Sequence, residues 1–146
     1  MRVVRHPGRA RAALAVAASL LSVGLAVVAA PPADTATSVA KGAVVLDEWN
    51  LVPSQPAVRA GRVTFVVRND GSMTHEFVVL RSDRRAGALP VKGGRAVEAG
   101  RQGRISQIPS GASKRLTLTL PRGKYVLLCN LLGHYQAGQF AALRVR

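Results

Sequence analysis

Disulfides are the first thing this chain lacks. Its 146 residues contain a single cysteine, Cys129, so no internal staple can hold the fold together. Histidine is nearly as scarce, with three in the chain, and aromatic residues make up only 4%. Acidic residues number seven against 21 Lys and Arg, and no carboxylate pair or Ser-His-Asp arrangement stands out, which leaves an enzymatic reading poorly supported. The length excludes a large multi-domain enzyme and fits one domain. Neither internal repeats nor low-complexity tracts interrupt the chain beyond its N-terminal segment. Composition does not argue for disorder either, since 48% of residues are hydrophobic and mean hydropathy is +0.15.

The apolar content is unevenly spread. Arg2, Arg5, Arg9 and Arg11 precede an uncharged stretch running from Ala12 to Ala33, the pattern of a basic n-region followed by an apolar h-region. Residues 1–36 therefore read as an export segment, and 37–146 as the domain that works outside the cytoplasm. Small residues at Val28-Ala29-Ala30 and around Ala33 and Ala36 offer cleavage sites. The stretch is also about as long as the ~20 residues that cross a bilayer, so a retained N-terminal anchor is the alternative. His6 lies within this segment and has no expected role. Without residues 1–36 the chain carries 17 Lys and Arg against 6 Asp and Glu, a net +11. For an exported protein this charge favours acidic partner proteins or an anionic membrane or envelope surface over nucleic acid.

The rest of the chain reads as short strands with turn signals between them. Residues 42–49 and 62–68 are β-branched or aromatic runs separated by Pro53, Pro56 and Gly61. After the turn Asn69-Asp70-Gly71-Ser72 comes a third run, His75 to Leu80. Residues 81–107, rich in Gly and Arg, read as a long loop with a short helix or strand near 96–99. Alternation returns at 113–120, where Leu116, Leu118 and Leu120 share one face. Residues 125–129 and 139–145 supply the last strands. The expectation is an all-β, Greek-key sandwich or barrel.

A lone thiol in an oxidising compartment is a liability unless it is buried or occupied. Cys129 is followed by Asn-Leu-Leu-Gly-His134-Tyr-Gln-Ala-Gly-Gln139, which puts a thiolate, an imidazole and an amide on one loop between two strands. The other histidine of the domain, His75, stands at the mouth of another strand. One thiolate and two imidazoles form the ligand set of a trigonal copper site with a weak axial donor. Zinc can also occupy such a set. Asp70, Glu76 and Asp83 read as turn and surface residues.

These segments resemble the cupredoxins, the small blue-copper electron-transfer proteins, and most of all their sulfocyanin-like and plastocyanin-like members. The likeness rests on Asn69-Asp-Gly-Ser-Met-Thr-His75-Glu-Phe and on Tyr125-Val-Leu-Leu-Cys129-Asn-Leu-Leu-Gly-His134-Tyr-Gln-Ala-Gly-Gln139-Phe, with support from Val58 to Gly71. The resemblance implies one copper ion held by His75, Cys129 and His134. Gln139 falls where many members place an axial Met, which resembles the stellacyanin-type variant. It also implies that the Glu76 N–H donates to the thiolate, that Asn69 or Asn130 ties the two ligand segments together, and that Leu131, Leu132 and Tyr135 form an apolar patch beside His134. Met73 lies on the wrong segment to be the axial donor.

The function implied is single-electron shuttling between redox partners by a monomer. Copper carriage or storage without electron transfer is the alternative, and a metal-free β-sandwich binding module is a third reading. No further His is available for a second, catalytic copper.

Overall fold

A computed structural model describes residues 40–146; the export segment expected over residues 1–36 lies outside them. Eleven strands follow in order: β1 (Ala40–Leu46), β2 (Leu51–Pro53), β3 (Ala57–Val58), β4 (Gly61–Asn69), β5 (His75–Arg81), β6 (Val91–Lys92), β7 (Arg95–Ala96), β8 (Arg101–Ile108), β9 (Ser113–Leu120), β10 (Gly123–Leu128) and β11 (Phe140–Val145). A single 3-10 turn at Ala86–Ala88 is the only helical element among the described residues. Two sheets carry the fold, one ordered β2-β1-β4-β9 and the other β3-β11-β10-β5-β8, with β6 and β7 forming a separate hairpin. The all-β, two-sheet expectation holds.

Alternation places the inner faces. Along β1 and β4, Val44, Leu46, Val63, Phe65 and Val67 are buried while the residues between them are more exposed. They meet Phe77, Val79, Leu127, Leu143 and Val145 from the other sheet in one core. By contrast, β5 and β10 are buried on both faces, which explains why Phe77 to Leu80 and Tyr125 to Leu128 are continuous apolar runs. Val78, Leu80, Val126 and Leu128 face outward onto Leu89, Ala96 and Tyr135. The segment after β5 is thus a cover for the second sheet.

That segment is also where the sequence reading needs correction. Residues 81–107 were expected to be a long loop, yet they contain the β6–β7 hairpin and most of β8. The reason is local irregularity. β8 is an edge strand whose register against β5 shifts between His75 and Phe77 and again between Val79 and Leu80. Only Ile105 and Ile108 are buried, three residues apart, so the period-2 signal of a half-buried strand is lost. At the other end, the first strand stops at Leu46 rather than reaching Trp49. The Asp47 carboxylate accepts hydrogen bonds from the N–H groups of Trp49 (3.0 Å) and Asn50 (2.8 Å) and turns the chain.

Gly100 is the joint at which β8 meets β5. Its carbonyl accepts the Arg81 N–H (2.9 Å), its φ is +84°, and a Cβ there would sit 2.4 Å from the Arg81 carbonyl oxygen. Gly111 has a similar positive φ of +71° but open space around it. Gly100→Ala is therefore expected to cost more than Gly111→Ala, whose penalty of about 1 kcal/mol is conformational alone. Urea unfolding of the two variants checks this, and equal losses would mean that the Arg81 contact carries no weight.

Candidate metal centre

Strand pairing assembles the site. β10 runs antiparallel to β5 on one side and to β11 on the other. The start of β5, the end of β10 and the start of β11 consequently lie at one end of the sandwich. His75 opens β5, Cys129 follows the last residue of β10, and Gln139 precedes the first residue of β11.

The loop between Cys129 and Gln139 is closed at its base by the Cys129 N–H donating to the Gln139 carbonyl (3.0 Å). Within it, His134 N–H donates to Leu131 O (3.0 Å) and Gln139 N–H to His134 O (3.1 Å), so the chain folds back and aims the His134 ring at the thiol. Gly133, at φ +79°, supplies the left-handed residue that this reversal needs, and its N–H is anchored on the Gly94 carbonyl of the hairpin (2.9 Å).

The three donors converge. Cys129 Sγ lies 3.8 Å from His75 Nδ1 and 3.6 Å from His134 Nδ1, and all three donor atoms are within 4.8 Å of one another. An ion bonded to each donor at about 2.0–2.3 Å in a trigonal plane requires donor separations of about 3.5–4.0 Å. Both sulfur–nitrogen separations meet that requirement. A thiolate with two imidazoles suits copper or zinc better than harder cations. His75, Cys129 and Gln139 are fully buried, whereas His134 is only partly buried.

Gln139 sits against both imidazoles. Its Nε2 donates to the Asp47 carbonyl and lies 3.5 Å from the Asn50 carbonyl and 3.2 Å from His75 Nδ1. Its Oε1 faces His134 Nδ1 at 2.9 Å. The amide nitrogen is thus committed to the 47–50 loop, which leaves the oxygen as the free donor. Met73, 40% exposed, has its main chain held by Asn69.

Burial sets the protonation of the ligand side chains. Desolvation pushes the Cys129 thiol above its ordinary range, opposed by the Glu76 N–H that donates to Sγ at 3.4 Å. Desolvation also lowers His75, reinforced by the neighbouring His134, so its imidazole is neutral at neutral pH. The Nε2 of His75 is buried without a hydrogen-bond partner, so packing and Gln139 orient this ring.

The residues that follow the ligands are held by a buried polar cluster. Glu76 was read as a surface residue, but it is 4% exposed, and burial raises its carboxyl. Arg104 of β8 faces it at 3.8 Å and pairs with Glu98. Burial opposes ionisation of Glu98, but Asn130, Arg101 and Arg104 outweigh it and keep its pKa low. Asn130 Nδ2 donates to Glu98 (2.8 Å) and to the Ala96 carbonyl (2.9 Å), while its Oδ1 accepts the Ala96 N–H (2.7 Å). Asn69 donates to the carbonyls of Met73 (2.7 Å) and Ile108 (2.8 Å). Neither asparagine bridges the two ligand segments directly; each ties its own segment to β7 or β8, elements hidden in the stretch read as loop.

The expected apolar patch also differs. Tyr135 turns inward, its hydroxyl donating to Ala86 O (2.7 Å) and accepting from Leu89 N (2.9 Å). Leu132 is 67% exposed and lies against Gly94, and the apolar residue beside His134 is Trp49, 54% exposed with ring centroids 5.9 Å apart. The sequence reading missed Trp49 because it placed the residue inside a strand. Asp47 and Asn50, three apart, were the turn signal that would have released it.

No protein-family model and no curated protein matches the sequence. Solved structures do match in fold. An auracyanin from Roseiflexus castenholzii aligns with a TM-score of 0.56 at 20% identity, over 75% of this chain and 98% of its own. Rusticyanin from Thiobacillus ferrooxidans gives 0.54 at 17%, covering 75% and 79%. Auracyanin A from Chloroflexus aurantiacus, described as a blue copper protein, gives 0.50 at 18%, covering 72% and 100%. The described domain has the cupredoxin fold.

Because the buried thiol must lose its proton to become a ligand while His75 is already neutral, metal uptake at neutral pH is expected to release one proton. Affinity then rises about tenfold per pH unit until the thiol itself ionises. Calorimetry in buffers of different ionisation enthalpy reads the released proton directly. Uptake without proton release would show that the thiol is not a ligand.

Proposed function

We propose that this chain is an exported, mononuclear type 1 copper protein that carries single electrons between redox partners. One observation bears most of the weight: a buried thiol and two imidazole Nδ1 atoms converge on one point at the end of a cupredoxin-fold sandwich, with the Gln139 amide against both rings. Copper bound there supplies the one-electron Cu(II)/Cu(I) couple. His75, Cys129 and His134 would hold it, with the Gln139 amide oxygen as a further, weaker donor.

The chain's own contribution is rigidity and access. Ligands attached to paired strand ends, with Asn130 next to Cys129 fixed by Ala96 and Glu98, have little freedom to rearrange when the charge of the centre changes. Low reorganisation is what a fast one-electron carrier requires. Burial excludes water from the thiolate and from His75. The partly buried His134, with Trp49 beside its ring, is the route by which an electron enters or leaves. The redox partner meets this face, the protein acts as a monomer, and no step of the proposal requires a substrate or makes it an enzyme.

Adding Cu(II) to the metal-free protein is expected to give an intense thiolate-to-copper absorption band at one equivalent, absent from Cys129→Ser. A folded protein that takes up copper without this band would replace the electron carrier with a copper carrier or store. Gln139→Met is expected to raise the reduction potential while keeping the band, because a thioether favours Cu(I) relative to an amide oxygen. Each tenfold shift toward Cu(I) appears as about 59 mV in potentiometry. An unchanged or lower potential would remove Gln139 from the axial role.

A further inference from the structure

The acidic residues of the domain are unevenly placed along the strands, whereas exposed cations stand at both ends, with Arg68, Lys114 and Arg115 toward the ligand end of β4 and β9. Of its six acidic residues, Asp47, Glu48 and Asp70 lie on loops at the ligand end, Glu76 follows His75, and Glu98 is bonded to Asn130. The sixth, Asp83, is alone at the opposite end. That end is where β1 begins, β3 turns into β4, β9 turns into β10, and β11 finishes. A concave surface there is lined by Lys41, Arg59, Arg122 and Arg146. A second, lined in part by Arg84, Arg85, Lys124 and Arg144, shares the same strand ends. All eight side chains are exposed, and none belongs to an ion pair among the described residues.

We infer that this basic pole is a docking surface for an anionic phospholipid membrane. Eight unpaired cations gathered at one end, around a broad concavity, produce a field that attracts a surface of negative headgroups. Their position favours a membrane over a redox partner. The seven-residue length of β5 separates this pole from His75 by about 20 Å at ~3.3 Å per residue. A protein held by the basic pole keeps His134 facing away, free for electron exchange.

The inference concerns where the domain sits and stands independently of what the metal centre holds.

Hydrogen exchange on the full chain tests it, in vesicles of phosphatidylcholine alone and of phosphatidylcholine with 30% phosphatidylglycerol. Anionic vesicles at low salt are expected to slow exchange at least tenfold around residues 57–62, 121–124 and 144–146, with 130–138 unchanged. Zwitterionic vesicles or 0.5 M salt should abolish the effect, since exposed charges are screened. Arg59→Glu with Arg122→Glu and Arg146→Glu should abolish it too, circular dichroism reporting that the variant is folded. The wild-type comparison of lipids and salt stands without the variant. Equal protection in both lipids, protection confined to the Trp49–Leu132 face, or equal protection by soluble polyglutamate would overturn the assignment.

Discussion

Everything at the metal centre depends on β10 lying between β5 and β11. Antiparallel pairing on both sides brings one strand end and two strand starts to the same level, so residues 54 and 64 positions from His75 become its neighbours. A thiol and two imidazoles could not be gathered by local sequence alone. The cost of closing those loops is met by the strands, whose side chains fill cores on both faces of the second sheet. The ligand positions inherit the rigidity of that packing.

Polar burial is the second constraint. The interior holds Glu76, Asn69, Asn130, Gln139 and His75, groups that destabilise a core unless partnered. Gln139 is secured by the carbonyl of Asp47, Asn130 by the main chain of β7 and by Glu98, and Asn69 by the carbonyls of Met73 and Ile108. Each anchor fixes a residue that is either at the cluster or adjacent to it. The covering segment after β5 therefore does two things: it shields the outer face of the sheet and supplies Ala96, Glu98 and Arg104, to which the ligand segments are tied.

Much of this is legible in the sequence. A β-branched and aromatic run marks β4, alternation marks β9, short apolar runs mark β5 and β10, and Cys129, His134 and Gln139 on one loop mark the donor set. β8 escaped because two register shifts erase the alternation by which edge strands are recognised. Glu76 looked like a surface acid because its partner Arg104 lies in that unrecognised strand. Trp49 reads as part of β1 because it continues a β-branched and aromatic run, whereas the local turn at Asp47 releases it. For β8 and Glu76 the deciding partner lies far along the chain, which pattern within a short window does not carry.

The basic composition finds its place in the same architecture. Eight exposed, unpaired cations gather at the end away from the ligands, while Trp49 stands beside His134 at the ligand end, where the loops carry Asp47, Glu48 and Asp70. The central claim is that the sandwich holds the thiol and imidazoles in place for copper before copper arrives. Crystal structures of the metal-free, Cu(II) and Cu(I) proteins test it most directly. The account predicts His75, Cys129, His134 and Gln139 in the same rotamers in all three, with donor atoms displaced by no more than about 0.5 Å. A loop from 129 to 139 that rearranges on loading, or copper bound outside this cluster, would contradict it.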